Sequence, residues 1–141
     1  MRTRALTLAG AALLTACGGG TGTSIPTSTS SAANRPATSA QVSIVSPSPG
    51  ALIRGNTVHV AIALSGATIT RVYSTTITPT LGHIHLYLDN QLIYMNYTLQ
   101  QDVTVHPGLQ YSLYAEFVAS DHFPFHPRDV TNTIFFSVAP S

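Results

Sequence analysis

Two histidines sit two positions apart, His83 and His85, and an Asp121-His122-Phe123-Pro124-Phe125-His126 segment follows later in the chain. On a β-strand, residues at that spacing share one face about 6.5–7 Å apart. Their rings can turn toward one ion. His122, with His126 or Asp121, would complete the shell. Imidazole and carboxylate without thiolate suit Zn(II) or Cu(II). Cu(I) is disfavoured, because thioether ligands are scarce: Met95 is the one methionine besides Met1. A plain reading stands beside the metal one. In it, His83 and His85 are polar positions on a solvated sheet face, and His122 satisfies loop backbone. His59 reads as a strand-surface residue, and His106 as the residue before a turn proline.

Catalysis finds little support. There is no Gly-x-Ser-x-Gly elbow, no His-Glu-x-x-His pair and no Gly-rich phosphate loop. Asp121 and His122 are adjacent, and neighbours on an extended chain point apart. The expectation is a non-enzymatic protein.

The chain's one cysteine, Cys17, ends a short N-terminal pattern. Arg2 and Arg4 precede an uncharged run from Ala5 to Thr15, and Leu14-Thr15-Ala16-Cys17 closes it. The run has the length of a signal-peptide apolar region and is too short for a membrane-spanning helix. The segment resembles the lipobox of bacterial lipoproteins. That resemblance implies a signal peptide over 1–16, lipid on Cys17, and a place in the cell envelope outside the cytoplasm, periplasmic or at the surface. Each buried methylene is worth roughly 0.8 kcal/mol, and two acyl chains give stable anchoring. The membrane is thus an expected partner. With Cys17 acylated, no disulfide or cysteine metal site remains.

Only 8% of the residues are charged, and lysine is absent. Once Arg2 and Arg4 leave with the signal, Arg35, Arg54, Arg71 and Arg128 stand against Asp89, Asp102, Glu116, Asp121 and Asp129. Without a basic face the chain is no nucleic-acid binder. After Cys17, residues 18–40 are mostly Gly, Ser, Thr and Pro. Such a stretch buries too little apolar surface to offset its ordering entropy. Residues 17–40 are therefore expected to form a lipidated, disordered tether. A coil of that length spans roughly 25–30 Å.

Residues 41–139 remain for one domain, which is large enough for a single core. No long helix is legible in it. Short segments alternate with period two and are rich in Val, Ile, Thr, Tyr and Phe, which marks strands. They are Val42–Ile44, Thr57–Leu64, His83–Asp89, Gln91–Tyr94, Leu99–Val105, Tyr111–Ala119 and Asn132–Val138. In the third, Ile84, Leu86 and Leu88 face one way, and His83, His85, Tyr87 and Asp89 the other. In the sixth, Tyr111, Leu113, Ala115, Phe117 and Ala119 face inward. About seven short strands predict an all-β, immunoglobulin-like or fibronectin-type antiparallel sandwich of two sheets. Pro107-Gly108 before Tyr111 predicts the tyrosine corner that enters strand F in such domains. The long 66–81 connection is expected either to add an edge strand at Tyr73–Ile77 or to cross one end of the sandwich as a loop.

In this fold strands C and F are antiparallel neighbours. If His83–Asp89 is C and Tyr111–Ala119 is F, His83 and His85 approach the loop that leaves F. The Gly82-His83-Ile84-His85 strand, Pro107-Gly108, and the Asp121-His122-Phe123-Pro124 loop together resemble small secreted or lipid-anchored bacterial immunoglobulin-like domains. The resemblance covers roughly residues 42–138. That family brings no established activity, and implies only that these motifs act together. It leads to the expectation of a histidine shortly after Pro107-Gly108. Gln110-Tyr111 stands there instead, which weakens any site that would use it. Two readings follow. One is a membrane-anchored, non-enzymatic β-sandwich that binds an envelope protein or polymer. The other is a lipoprotein that binds Cu(II) or Zn(II) through its histidines.

Overall fold

A computed structural model describes residues 34–141. The signal segment, Cys17 and the tether as far as residue 33 lie outside the described residues. Ten strands follow one another: β1 (Gln41–Ser46), β2 (Leu52–Ile53), β3 (Thr57–Ser65), β4 (Thr68–Ile69), β5 (Leu81–Leu88), β6 (Gln91–Asn96), β7 (Gln100–Thr104), β8 (Gln110–Ala119), β9 (Pro124–Val130) and β10 (Ile134–Val138). They form two sheets. A three-stranded sheet has the order β1-β3-β7. The larger sheet runs β2-β10-β8-β5-β4, with β6 also on β5 and β9 also on β8.

The seven segments legible from alternation are all strands. The other three are β2, β4 and β9. Two of them are two-residue parallel additions: β2 joins β10, and β4 joins β5 at Thr68↔Leu81 and Ile69↔Gly82. The 66–81 connection therefore adds its edge pairing at Thr68–Ile69. Tyr73–Ile77 contains no strand and packs near Ser120, with Ser74 N–H donating to Ser120 O at 3.3 Å.

The core lies between the sheets. Val58, Val60 and Ile62 of β3 meet Ile84 and Leu86 of β5, Leu113, Ala115 and Phe117 of β8, and Phe136 of β10. This is the inward set that period two selects. Tyr111 makes the expected corner: its hydroxyl accepts a hydrogen bond from His106 N–H at 2.9 Å. Asp89 and Asn90 turn β5 into β6, both with positive φ (50° and 63°). Asn and Asp tolerate that left-handed region.

Two expectations need correcting. The segment leaving β8 is only a short turn, and the chain then returns along β8 as β9, pairing Glu116 with Val130 and Val118 with Pro124. Pro124 and Pro127 hid this strand, since proline is kept to edges and bulges. The tether also ends earlier than its composition suggests. Arg35 to Ala40 is docked: Thr38 Oγ1 donates to Pro79 O at 2.6 Å, Ser39 Oγ to Gly66 O at 2.8 Å, and Ala40 is buried.

Candidate metal centre

β5 and β8 are antiparallel partners in register from Gly82↔Ala119 to Leu88↔Leu113. The start of β5 thus lies beside the end of β8, where the chain turns at Ser120–Phe123. Gly82 permits the close approach. A Cβ there would overlap the Val118 carbonyl oxygen and come within 2.8 Å of Phe117 Cζ. His83 and His85 follow on the face away from the core. That face is not solvated at these positions: His83 is 1% exposed and His85 6%. His122 and Tyr97 cover it, with ring centroids 4.3 and 5.3 Å from that of His83.

His122 arrives from the turn after β8. It adopts a φ of 68°, a left-handed conformation uncommon outside glycine. Its N–H donates to Ala119 O at 2.9 Å, and Ala119 N–H donates to Phe123 O at 3.0 Å. Arg35 grips the turn from outside. Nη1 and Nη2 donate to the two carboxylate oxygens of Asp121 at 2.7 and 2.8 Å, and Nη2 also reaches Phe123 O at 3.0 Å. The Asp121 carboxylate in turn accepts Phe123 N–H at 3.1 Å. Tyr73, from the 66–81 connection, stacks on the other side of His122 at 6.0 Å.

Of the five expected ligands, three meet. His83, His85 and His122 each offer a ring nitrogen, and these atoms lie within 4.8 Å of one another. Nε2 of His83 and Nε2 of His85 are 3.2 Å apart. That matches the edge of about 3.3 Å that tetrahedral ligands at 2.0–2.1 Å define. Asp121 is drawn off, because Arg35 engages both its oxygens. His126 stands exposed on β9, its backbone N–H donating to Pro36 O at 3.1 Å, outside the group of three. The physical reason is the strand that replaced the expected loop. Elsewhere, His59 pairs with exposed Asp102 at 2.7 Å, and His106 serves the Tyr111 corner through its backbone.

The electrostatics keep the pair neutral. Burial pushes His83 down from 6.5 to about 4; charge on His122 and His85 acts the same way, and Asp121 opposes it. Burial likewise lowers His85, with Glu116 opposing. Both imidazoles are therefore neutral at pH 7, so one Nε2–H can donate to the other Nε2 across their 3.2 Å contact. His122 Nδ1 is buried and has no hydrogen-bond partner among the described residues. An orphaned buried nitrogen is costly unless something else meets it.

Alternation placed Tyr87 on this face but did not reveal Glu116 and Arg128 beside it. Glu116 pairs with His85 across β5 and β8, is fully buried, and binds Arg128 through two contacts of 2.6 Å. Tyr87 stacks on Tyr114 at 4.5 Å, with its hydroxyl 3.5 Å from His85 Nδ1. The one signal was Glu116 itself, the single charged residue of β8.

No model of a protein family matches the chain, and neither does any curated protein sequence. Among solved structures, the fibronectin(III)-like modules of Clostridium thermocellum CbhA align with a TM-score of 0.50 at 22% identity, over 70% of this chain and 96% of the module. At that identity the likeness speaks to fold, and the fold is a fibronectin(III)-like sandwich. In this chain the sandwich carries three histidines, two buried and one half-buried, that could hold a metal ion.

Proposed function

We propose that this chain is a non-enzymatic, lipid-anchored envelope module whose sandwich holds a Zn(II) or Cu(II) ion between His83, His85 and His122. The observation that carries this reading is the convergence of three ring nitrogens within 4.8 Å, one of them on a residue whose Nδ1 lacks a partner among the described residues. A merely structural role for these rings leaves that nitrogen unexplained. The lipobox resemblance at Cys17 supports the anchor, and the tether composition supports display away from the membrane.

Calorimetric titration of the protein with Zn(II) and with Cu(II) tests the centre. The His83→Ala/His85→Ala variant should bind at least a hundredfold more weakly, and His122→Ala, altered in the turn rather than the sheet, at least tenfold more weakly. Wild-type affinity no tighter than that of the double variant would end the reading. A second reading, docking of an envelope protein or polymer, draws on the groove between β1 and β10, lined by Val42, Ile44, Ile134 and exposed Phe135. Recovery of the same partner by crosslinking in wild-type envelope but not with Phe135→Asp would support it.

A further inference from the structure

Met95 is the cross-strand partner of His85. The β5–β6 register pairs His85 with Met95 and Ile84 with Asn96. Paired residues project from the same face, with Cβ atoms about 4.5–5.5 Å apart. One position further, His83 already packs against Tyr97 on that face. Met95 is 51% exposed, so its unbranched side chain is only loosely held. With three rotatable bonds it can carry its sulfur across to the histidines.

The charge around the centre points the same way. The three histidines are neutral ligands, and the two nearby carboxylates are engaged, Asp121 by Arg35 and Glu116 by Arg128. A bound ion would therefore keep its full charge in a largely buried site. Burying one charge costs far less than burying two. A thioether beside imidazoles is also the ligand type that selects Cu(I).

We propose, building on the three-histidine reading, that Met95 supplies a thioether as fourth ligand and that the centre takes copper as Cu(I) as well as Cu(II). Scarcity of methionine argues against Cu(I) only until the register sets the single available thioether beside His85.

The test compares the full chain with Met95→Leu and with His83→Ala/His85→Ala, all carrying Cys17→Ser so that its sulfur does not compete. Cu(I) is titrated without oxygen against a chromogenic Cu(I) chelator, and Zn(II) by calorimetry. Leucine conserves volume at an exposed strand position, so the fold should be kept. The expected result is a loss of at least tenfold in Cu(I) affinity for Met95→Leu, with Zn(II) affinity within about twofold of the parent. Unchanged Cu(I) affinity in Met95→Leu, with weak binding in the double-histidine variant, would overturn the thioether and leave the histidine centre standing. Equal losses for both ions would also overturn it, since a thioether adds little to Zn(II) binding. Parent affinities no better than those of the double-histidine variant for either ion would remove both.

Discussion

Removing Arg35 should loosen the metal centre from outside, although Arg35 touches none of its three rings. Its guanidinium bonds both oxygens of Asp121, the residue before His122, and the carbonyl of Phe123, the residue after. The two side chains are only 10% and 12% exposed. Arg35→Ala leaves the Asp121 carboxylate with the Phe123 N–H as its remaining partner. Hydrogen bonds to charged groups contribute about 1.5–3 kcal/mol each, and stranding one partner of a fully buried pair costs about 3–5 kcal/mol. At the rim of the sandwich we expect about 2–3 kcal/mol. With a denaturant slope near 1.5 kcal/mol/M, the urea midpoint should fall by roughly 1.5 M. Burial alone would raise the Asp121 carboxyl, but its bonds to Arg35 and Phe123 outweigh this and hold it below 3.8. The pair therefore contributes above about pH 4 and fades as pH falls through the depressed value. Metal affinity should fall as well, by about tenfold or less: a lost direct partner of a ligand costs about 10–100-fold, and Arg35 acts on His122 only through the turn. Arg35→Lys keeps the charge without the two-point grip and should recover only part of either loss. An unchanged midpoint together with unchanged Zn(II) affinity would show that Arg35 to Ala40 is an idle extension.

Other perturbations probe the frame. Phe117 is fully buried and stacks on Phe125 at 5.6 Å, so Phe117→Ala should cost about 3–5 kcal/mol; a melting temperature barely changed would place β8 out of register. Tyr111→Phe strands the His106 N–H and should cost about 1–2 kcal/mol by urea unfolding, with no loss of metal binding; no cost would remove the corner from the stabilising contacts. The metal-free protein should weaken in mild acid. His83 titrates near 4 when folded against 6.5 when unfolded, so the unfolded chain takes up its proton first. Stability is full above pH 6.5 and falls by about 3 kcal/mol on the way to pH 4. A flat urea midpoint across that window would contradict a buried, neutral His83.

The frame was readable because period two is a local signal. Ile84, Leu86 and Leu88 against His83, His85 and Tyr87, and the Tyr111-to-Ala119 set, assign faces without knowledge of any partner. The juxtaposition of β5 with the turn after β8 follows once those segments are neighbouring strands. What escaped depends on contacts distant in sequence. Arg35 resembles any residue of a polar tether until Asp121, far along the chain, meets it. The β9 strand was masked by its prolines, and with it the fates of His126 and of Glu116, which Arg128 of β9 neutralises. The two-residue parallel pairings of β2 and β4 are too short to leave a period. Met95 counts in the sequence only as a scarce thioether, because the β5–β6 register alone sets it opposite His85.

Diffraction from crystals soaked in Zn(II) or Cu(II), with data collected at the metal's absorption edge, bears most directly on the centre. One anomalous peak about 2.0–2.1 Å from a nitrogen of each of His83, His85 and His122 is the expected result. No peak among those three rings, or density only at exposed sites such as His59 with Asp102, would contradict it.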